Sequence, residues 1–157
     1  MRLGNWPEPT DPSASYYGSM TRAGHRQLEH TADLALEIWA PSEPELLAEA
    51  ARALVAIMTE DAAVEARETR QVRIAAIDRA DRLVQWLNEV IVLAVARGFL
   101  VAQAEIVLEG EGVLEATVRG ASAPKLATEL KSATYHALSI AEDAPTGEWR
   151  AHVVVDV

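Results

Sequence analysis

The chain has 157 residues, of which 24 are acidic and 14 are basic, so its formal net charge is −10 at pH 7. This length fits one domain with a hydrophobic core of its own. The acidic balance argues against a stand-alone binder of nucleic acid, because phosphate contacts need a basic surface. The chain has no cysteine, which excludes disulfide bonds, a thiol nucleophile and a zinc site built on cysteine.

The first residues differ from the rest of the chain in composition. Residues 1–24 hold three prolines and follow neither the helical nor the strand period. We therefore expect a flexible tail over residues 1–24 and one folded domain over residues 25–157. The longest apolar run, Val90–Ala96, is too short to cross a membrane, and the N-terminal residues lack the apolar segment of a signal peptide. We expect a cytoplasmic protein that does not contact a membrane.

The first predicted elements of the domain are a strand and a helix. Leu34, Leu36 and Ile38 recur at every second position, which is the period of a strand. Ser42 and Glu45 then have the spacing of a capping box, in which each side chain accepts a hydrogen bond from the other residue's backbone N–H. This box predicts the start of a helix that continues to about residue 58, with apolar residues at helical spacing.

A second strand and a second helix follow. The alternation of polar and apolar residues predicts an extended stretch over residues 63–77. Asp78 and Asp81 stand at the start of the next helix, where the helix dipole favours negative charge. That helix is expected to span about residues 79–97 and to end at Gly98.

The second half of the chain predicts four more strands. Two of them form a hairpin around Gly110–Gly112, and a loop at residues 120–124 leads to the other two. The four strands are expected over residues 101–108, 113–119, 128–140 and 149–157. The order of strand, helix, strand, helix and four strands predicts an α+β fold, with two helices packed on one face of a largely antiparallel sheet.

Polar residues cluster in the segment Glu29–Asp33, directly before the first predicted strand. One interpretation is a solvated turn at the entry to the strand. The other is a site for a ligand or a phosphate, because His30 and Asp33 lie close in sequence and Thr31 can form a hydrogen bond.

A second polar segment, Lys131–His136, lies within a predicted strand. Lys131 and Tyr135 would share one face of that strand, about 13 Å apart. His136 would share the opposite face with Leu138, which predicts a histidine whose hydrogen bonds are satisfied within the core.

The end of the chain places a side-chain carboxylate beside the terminal carboxylate. Asp156 and Val157 carry these two groups. Oxygen ligands of this kind suit a hard divalent cation. The alternative is an ordinary solvated terminus, but Val153–Val155 has the composition of a buried strand, which would hold the terminus in place.

Four segments, taken together and in this order, resemble the archease family. The resemblance covers about residues 27–157, and the last segment ends the chain. The segments are Glu29-His30-Thr31-Ala32-Asp33, similar to the family's EHTAD signature; Gln85-Trp86-Leu87-Asn88-Glu89, similar to its WLNE helix; Lys131-Ser132-Ala133-Thr134-Tyr135-His136, similar to its K-A-x-T-Y-H strand; and Trp149–Val157, similar to its closing W-R-x-x-V-x-x-D-[VI].

The resemblance implies a small protein that assists the RtcB-type RNA ligase and is not itself an enzyme. That ligase joins an RNA end with a 2′,3′-cyclic phosphate or a 3′-phosphate to a 5′-hydroxyl. Archeases promote formation of the ligase–guanylate intermediate and allow repeated turnover, which serves RNA repair or tRNA splicing. The acidic composition fits binding to a basic, RNA-handling enzyme without direct binding to nucleic acid.

The resemblance also implies a bound divalent metal ion, usually calcium. Carried over to this sequence, the metal ligands are Asp33, Asp156 and Val157. Glu29, His30 and Lys131 are expected to contact and activate the partner protein.

Two other functions are compatible with the same residues. The first is a chaperone-like role toward a tRNA methyltransferase, which has also been ascribed to the family. The second is a stand-alone metal-dependent phosphohydrolase built on Asp33 and Asp156. Such an enzyme would need a general base or a second metal, and Glu29, His30 and Lys131 are the candidates for the base.

Overall fold

The computed structural model describes residues 22–28, 33–122 and 125–157. The predicted tail over residues 1–24 falls mostly outside these ranges, and so do Glu29 and His30. Within the described residues, no helix is both long and apolar enough to span a membrane. The helices and strands are β1 (Gly24–Leu28), β2 (Leu34–Ala40), α1 (Glu43–Thr59), β3 (Glu68–Ala75), α2 (Arg79–Val95), β4 (Phe99–Glu109), β5 (Val113–Ser122), β6 (Ser132–Asp143) and β7 (Glu148–Asp156).

The strands of the described residues form two antiparallel sheets. One sheet has four strands in the order β1-β2-β7-β6, and the other has three in the order β3-β5-β4. Helix α1 packs against β2 and β4, and α2 packs against β6 and β4, so each helix contacts both sheets. The predicted α+β fold with two helices and antiparallel strands is confirmed, and the strands are divided between two sheets.

Helix α1 can contact two sheets because its buried surface is wider than one stripe. Leu46 and Leu47 are adjacent in sequence and both fully buried, and the same holds for Ala53 and Leu54. Adjacent residues point about 100° apart around a helix axis, so burial of both requires packing partners in two directions.

The helix starts follow the local sequence signals. The Ser42 hydroxyl oxygen accepts a hydrogen bond from the backbone N–H of Glu45 at 3.3 Å, as the capping box predicts. The Glu45 carboxylate accepts from the Ser42 hydroxyl at 3.1 Å. At the start of α2, the Asp78 carboxylate accepts from the backbone N–H of Asp81 at 2.8 Å. In both helices the cap satisfies a backbone N–H that has no partner within the helix.

The predicted loop at residues 120–124 is wrong in its first part, because β5 continues to Ser122. Gly120 is needed there for close approach of two strands, since a Cβ atom at this position would lie 1.8 Å from the carbonyl oxygen of Leu100. Strand β1 has no counterpart in the prediction. Its Gly24 lies opposite Trp39, whose indole ring would be 2.6 Å from a Cβ atom at that position.

Strand β6 contains a large bulge that the alternation of residues did not predict. Between the pairs Thr134–Val154 and Ser139–His152, β6 advances five residues (139 − 134) while β7 advances two (154 − 152). Ala137 adopts a left-handed backbone conformation, with φ 52°, within these extra residues. The prediction of a core histidine at His136 is wrong: the side chain is exposed, because the bulge interrupts the alternation of buried and exposed positions.

Arg82 is fully buried and joins three elements. Its guanidinium donates to the Glu43 carboxylate at the start of α1, at 2.7 Å. It also donates to the carbonyl oxygens of Gly110 and Val113, at 2.8 Å and 3.1 Å, in the β4–β5 turn. This network fixes the starts of both helices against the hairpin.

Candidate functional site

The ends of three neighbouring strands bring Asp33, Asp156 and Ser132 into one row. The pairing of β2 with β7 ends with Leu34 opposite Val155, and Asp33 and Asp156 are the residues next to this pair at the same end of the sheet. On the other side of β7, Ser132 pairs with Asp156. Side chains at directly opposite positions share a face of the sheet, with Cβ atoms about 5 Å apart. The carboxylates predicted from separate ends of the sequence therefore occupy adjacent positions.

The row is held on a well-packed part of the sheet. Asp33 and Asp156 are both half-buried, while Val153 and Val155 beside them are fully buried. The backbone carbonyl of Asp156 accepts a hydrogen bond from the N–H of Lys131 at 2.9 Å. The last strand is therefore paired up to its final residue and does not behave as a free terminus.

A side chain of α2 supports the row from the edge of the sheet. The backbone N–H of Ala133 donates to Asn88 Oδ1 at 2.7 Å, and Asn88 Nδ2 donates to the Ala133 carbonyl at 3.3 Å. Strand β6 is an edge strand, so the Asn88 amide occupies the place of a further strand. The sequence signal for this role is an amide next to Glu89 in a stretch, residues 86–96, whose other residues are apolar, and the partner of the amide could not be predicted.

All four segments that carry the resemblance to a known family contribute to this end of the sheet. Asp33 ends the first, Asn88 lies in the second, Ser132 and Ala133 lie in the third, and Asp156 lies in the last. Segments more than 100 residues apart thus meet at one place, although they are unrelated in local structure.

The donor groups of the row fit a hard divalent cation. Two carboxylates at adjacent positions repel each other, and a bound cation relieves this repulsion. The described residues contain no group of three or more His, Cys, Asp or Glu side chains placed to hold a metal ion. Asp33 and Asp156 would therefore provide two carboxylate ligands. Two further oxygen donors lie near Asp156: the terminal carboxylate of Val157, which follows it in sequence, and the hydroxyl of Ser132, which is opposite it on β6. Glu29 and His30 lie outside the described residues.

A cleft lies on the other side of the sheet from the row. Its volume is about 550 Å³, and it is lined in part by Leu34 and Val157. Leu34 pairs with Val155, and Val155 and Asp156 are consecutive in β7, so Leu34 faces the opposite side of the sheet from Asp156. Glu60 and Asp61 at the end of α1 also line the cleft, which gives it an acidic wall.

Lys131 and Tyr135 do not share a strand face, because Lys131 precedes β6 and Tyr135 enters the bulge. The side chain of Lys131 is exposed next to the row. The Tyr135 hydroxyl donates to the Asp81 carboxylate at 2.5 Å. This hydrogen bond lowers the pKa of Asp81 and raises the pKa of Tyr135, because it stabilises the ionised carboxylate and the protonated phenol.

Comparison with known proteins gives one consistent result. The model of the Archease protein family (MTH1598/TM1083) matches residues 25–157. A protein archease from Methanopyrus kandleri is 32% identical over 138 residues, which cover 83% of this chain and 97% of the relative.

Two solved structures share the fold. The solution structure of protein 1598 from Methanobacterium thermoautotrophicum has a TM-score of 0.67 and 25% identity, and the match covers 85% of this chain and 99% of the other. The crystal structure of an archease from Thermotoga maritima, described as a possible chaperone, has a TM-score of 0.59 and 29% identity. That match covers 84% of this chain and 96% of the other.

Proposed function

Because this chain belongs to the archease family, we propose that it is an accessory protein of a GTP-dependent RtcB-type RNA ligase and not an enzyme itself. It promotes guanylylation of the ligase and allows multiple turnover, in cytoplasmic RNA repair or tRNA splicing. The observation that carries this proposal is the convergence of the four family-like segments on the row of Asp33, Asp156 and Ser132. Polar residues that a rigid sheet holds at the ends of its strands are well placed for binding.

The row would hold a divalent cation, with calcium the expected ion. Asp33, Asp156 and the terminal carboxylate of Val157 would be its ligands from this chain. A hard cation accepts six to eight oxygen ligands, so the set leaves positions for water or for groups of a partner. The ion would supply a positive charge beside the two carboxylates. The chain's own residues orient the carboxylates through the β2–β7 and β6–β7 ladders.

Contact with the ligase involves Glu29, His30 and Lys131 in this proposal. Lys131 supports it by position, since its backbone N–H bonds to Asp156 while its side chain is exposed. The net charge of −10 also suits a partner with a basic surface. An enzyme that binds RNA must present such a surface.

A second candidate function is that of a chaperone-like partner of an RNA-modifying methyltransferase. It is favoured by the description of the Thermotoga maritima archease as a possible chaperone. This function predicts a complex that forms without the metal and weakens at high salt, because it rests on charge complementarity alone.

A ligation assay separates these functions. It uses limiting RtcB-type ligase, GTP, manganese and an excess of RNA with 3′-phosphate ends. The protein is expected to allow many joined ends per ligase, and Asp33→Asn or Asp156→Asn is expected to reduce this stimulation at least about tenfold. The matched control is Glu142→Gln, an exposed acidic residue at the other end of β6. Full stimulation by both Asp variants would rule out the metal site, and no stimulation by the folded wild-type protein would favour the chaperone-like function.

A further inference from the structure

The carboxylate of Asp81 gathers two exposed apolar residues at one point of the surface. Its Oδ1 accepts from the Tyr135 hydroxyl at 2.5 Å, and its Oδ2 accepts from the backbone N–H of Ile77 at 3.1 Å. Oδ2 also accepts from Gln85 Nε2 at 2.8 Å. One carboxylate therefore binds the backbone of Ile77, in the loop between β3 and α2, and the side chain of Tyr135, which brings the two residues close together.

These two side chains are unusually accessible for their type. Ile77 is 89% exposed and Tyr135 is 60% exposed. Isolated exposed apolar residues are common on protein surfaces and need no explanation. Here two of them lie near one carboxylate, which holds Tyr135 by its hydroxyl and Ile77 by its backbone, and Tyr135 lies within the bulge of β6. Fixed aromatic and aliphatic side chains lose little conformational entropy on binding, so they are well suited to anchor a partner.

Two acidic groups at the start of α2 lie next to Ile77 and Tyr135. Asp78 caps α2 next to Ile77, is exposed, and lies close enough to Tyr135 to help raise the pKa of its hydroxyl. We call Ile77, Asp78, Asp81 and Tyr135 the Asp81 patch. An apolar centre with negative charge around it complements a pocket with basic residues at its rim.

Hydrogen bonds connect the helix face that carries Asp81 to β6, the edge strand that carries Ser132. Asp81, Gln85 and Asn88 are spaced by four and three residues, so they lie along one face of α2. Asn88 at one end of this face bonds to Ala133, next to Ser132, and Asp81 at the other end bonds to Tyr135. A partner that covers the row can therefore reach the patch along the edge of β6.

We propose that the Asp81 patch is a docking surface for a basic, RNA-binding protein, with Ile77 and Tyr135 inserted into an apolar pocket of that partner. This proposal rests on the function proposed above, since the ligase is the protein that meets the row. A second copy of this chain does not suit the patch, because two surfaces bearing Asp78 and Asp81 would repel each other.

The test measures binding of the fluorescently labelled full chain to the RtcB-type ligase by titration. Ile77→Ser is the main variant, because the side chain is 89% exposed and its loss leaves the core unchanged. We expect its Kd to rise at least about fivefold, and the protein concentration for half-maximal stimulation of ligation to rise by the same factor. Tyr135→Ala should have an effect of the same sign.

The matched control is Val107→Ser, which removes an exposed apolar side chain that is 66% accessible on β4. It should bind the ligase as the wild type does. Wild-type affinity for both Ile77→Ser and Tyr135→Ala would overturn the docking surface while leaving the ligase function intact. Wild-type protein that neither binds nor stimulates the ligase would overturn the proposed function, and the docking surface with it. Concentration-dependent self-association that Ile77→Ser abolishes would identify a second copy as the occupant and would also overturn the proposal.

Discussion

The side-chain amide of Asn88 forms two hydrogen bonds with the backbone of Ala133. It accepts one from the Ala133 N–H and donates one to the Ala133 carbonyl oxygen. The pair therefore joins α2 to the edge of the four-stranded sheet in the way that another strand would. Ala133 follows Ser132, which pairs with Asp156. Asn88 thus supports the candidate site without belonging to it.

Replacement of Asn88 by alanine should destabilise the protein. The N–H and carbonyl of Ala133 would lose their partners in a partly buried position, which costs about 1–3 kcal/mol. Urea unfolding followed by circular dichroism measures this loss. Gln85→Ala, an exposed change on the same helix, should alter the free energy of unfolding by less than about 0.5 kcal/mol. Equal stabilities for Asn88→Ala and the wild type would show that the two hydrogen bonds contribute nothing.

The contribution of the Tyr135–Asp81 hydrogen bond should depend on pH in acid. The bond lowers the pKa of Asp81 below its ordinary value of 3.8, so the folded state binds this proton less readily than the unfolded state. Its contribution is therefore present above pH 3.8 and is lost as pH falls through the lowered pKa. We expect the stability difference between wild type and Tyr135→Phe to be constant from pH 5 to 7 and to shrink below pH 3.8. Chemical denaturation across this range tests it, and a difference that stays constant down to pH 2 would contradict it.

Calcium should stabilise the protein through Asp33 and Asp156. At a free concentration of 100 times Kd, a ligand bound only to the folded state adds about 2.7 kcal/mol. For a chain of this size that raises Tm by about 5–10 °C. Differential scanning calorimetry with calcium and then with a chelator measures the shift. Asp156→Asn should abolish it and Glu142→Gln should preserve it, whereas equal shifts in both variants would place the ion elsewhere.

Arg82→Met should be among the most destabilising single changes. It leaves the Glu43 carboxylate, which is only 7% exposed, without its closest cation. Breaking a buried pair from one side costs about 3–5 kcal/mol, and Arg79 at 3.1 Å from Glu43 keeps the cost near the lower end.

The double variant Arg82→Met with Glu43→Leu should recover part of this loss, because it removes the unpaired charge as well. Arg73→Met is the control, because the Arg73–Glu115 ion pair is exposed, with 3.6 Å between Arg73 Nε and Glu115 Oε1. This change should lower the free energy of unfolding by less than about 0.5 kcal/mol. If the double variant is no more stable than Arg82→Met, the unpaired charge is not the cause of the loss.

Features that depend on neighbouring residues could be predicted from the sequence. Ser42 and Asp78 start helices by bonding to backbone N–H groups three residues away. The turn between β4 and β5 follows from glycines at Gly110 and Gly112, which separate two alternating strands. Each of these signals involves residues no more than three positions apart, so the helix starts and the turn form without tertiary contacts.

Features that depend on distant residues needed the folded chain. The sequence marks Asn88 as an unusual amide, but it does not identify Ala133, 45 residues away, as its partner. The bulge of β6 depends on pairing with β7, and it decides that His136 is exposed and that Tyr135 reaches Asp81. The resemblance predicted Asp33 and Asp156 as ligands of one metal, but it did not predict that Ser132 lies beside them. The β6–β7 register places Ser132 opposite Asp156, and the β2–β7 register ends with Leu34 opposite Val155, next to Asp33 and Asp156. Register is a property of two strands together, because it is determined by which side chains both can bury at once.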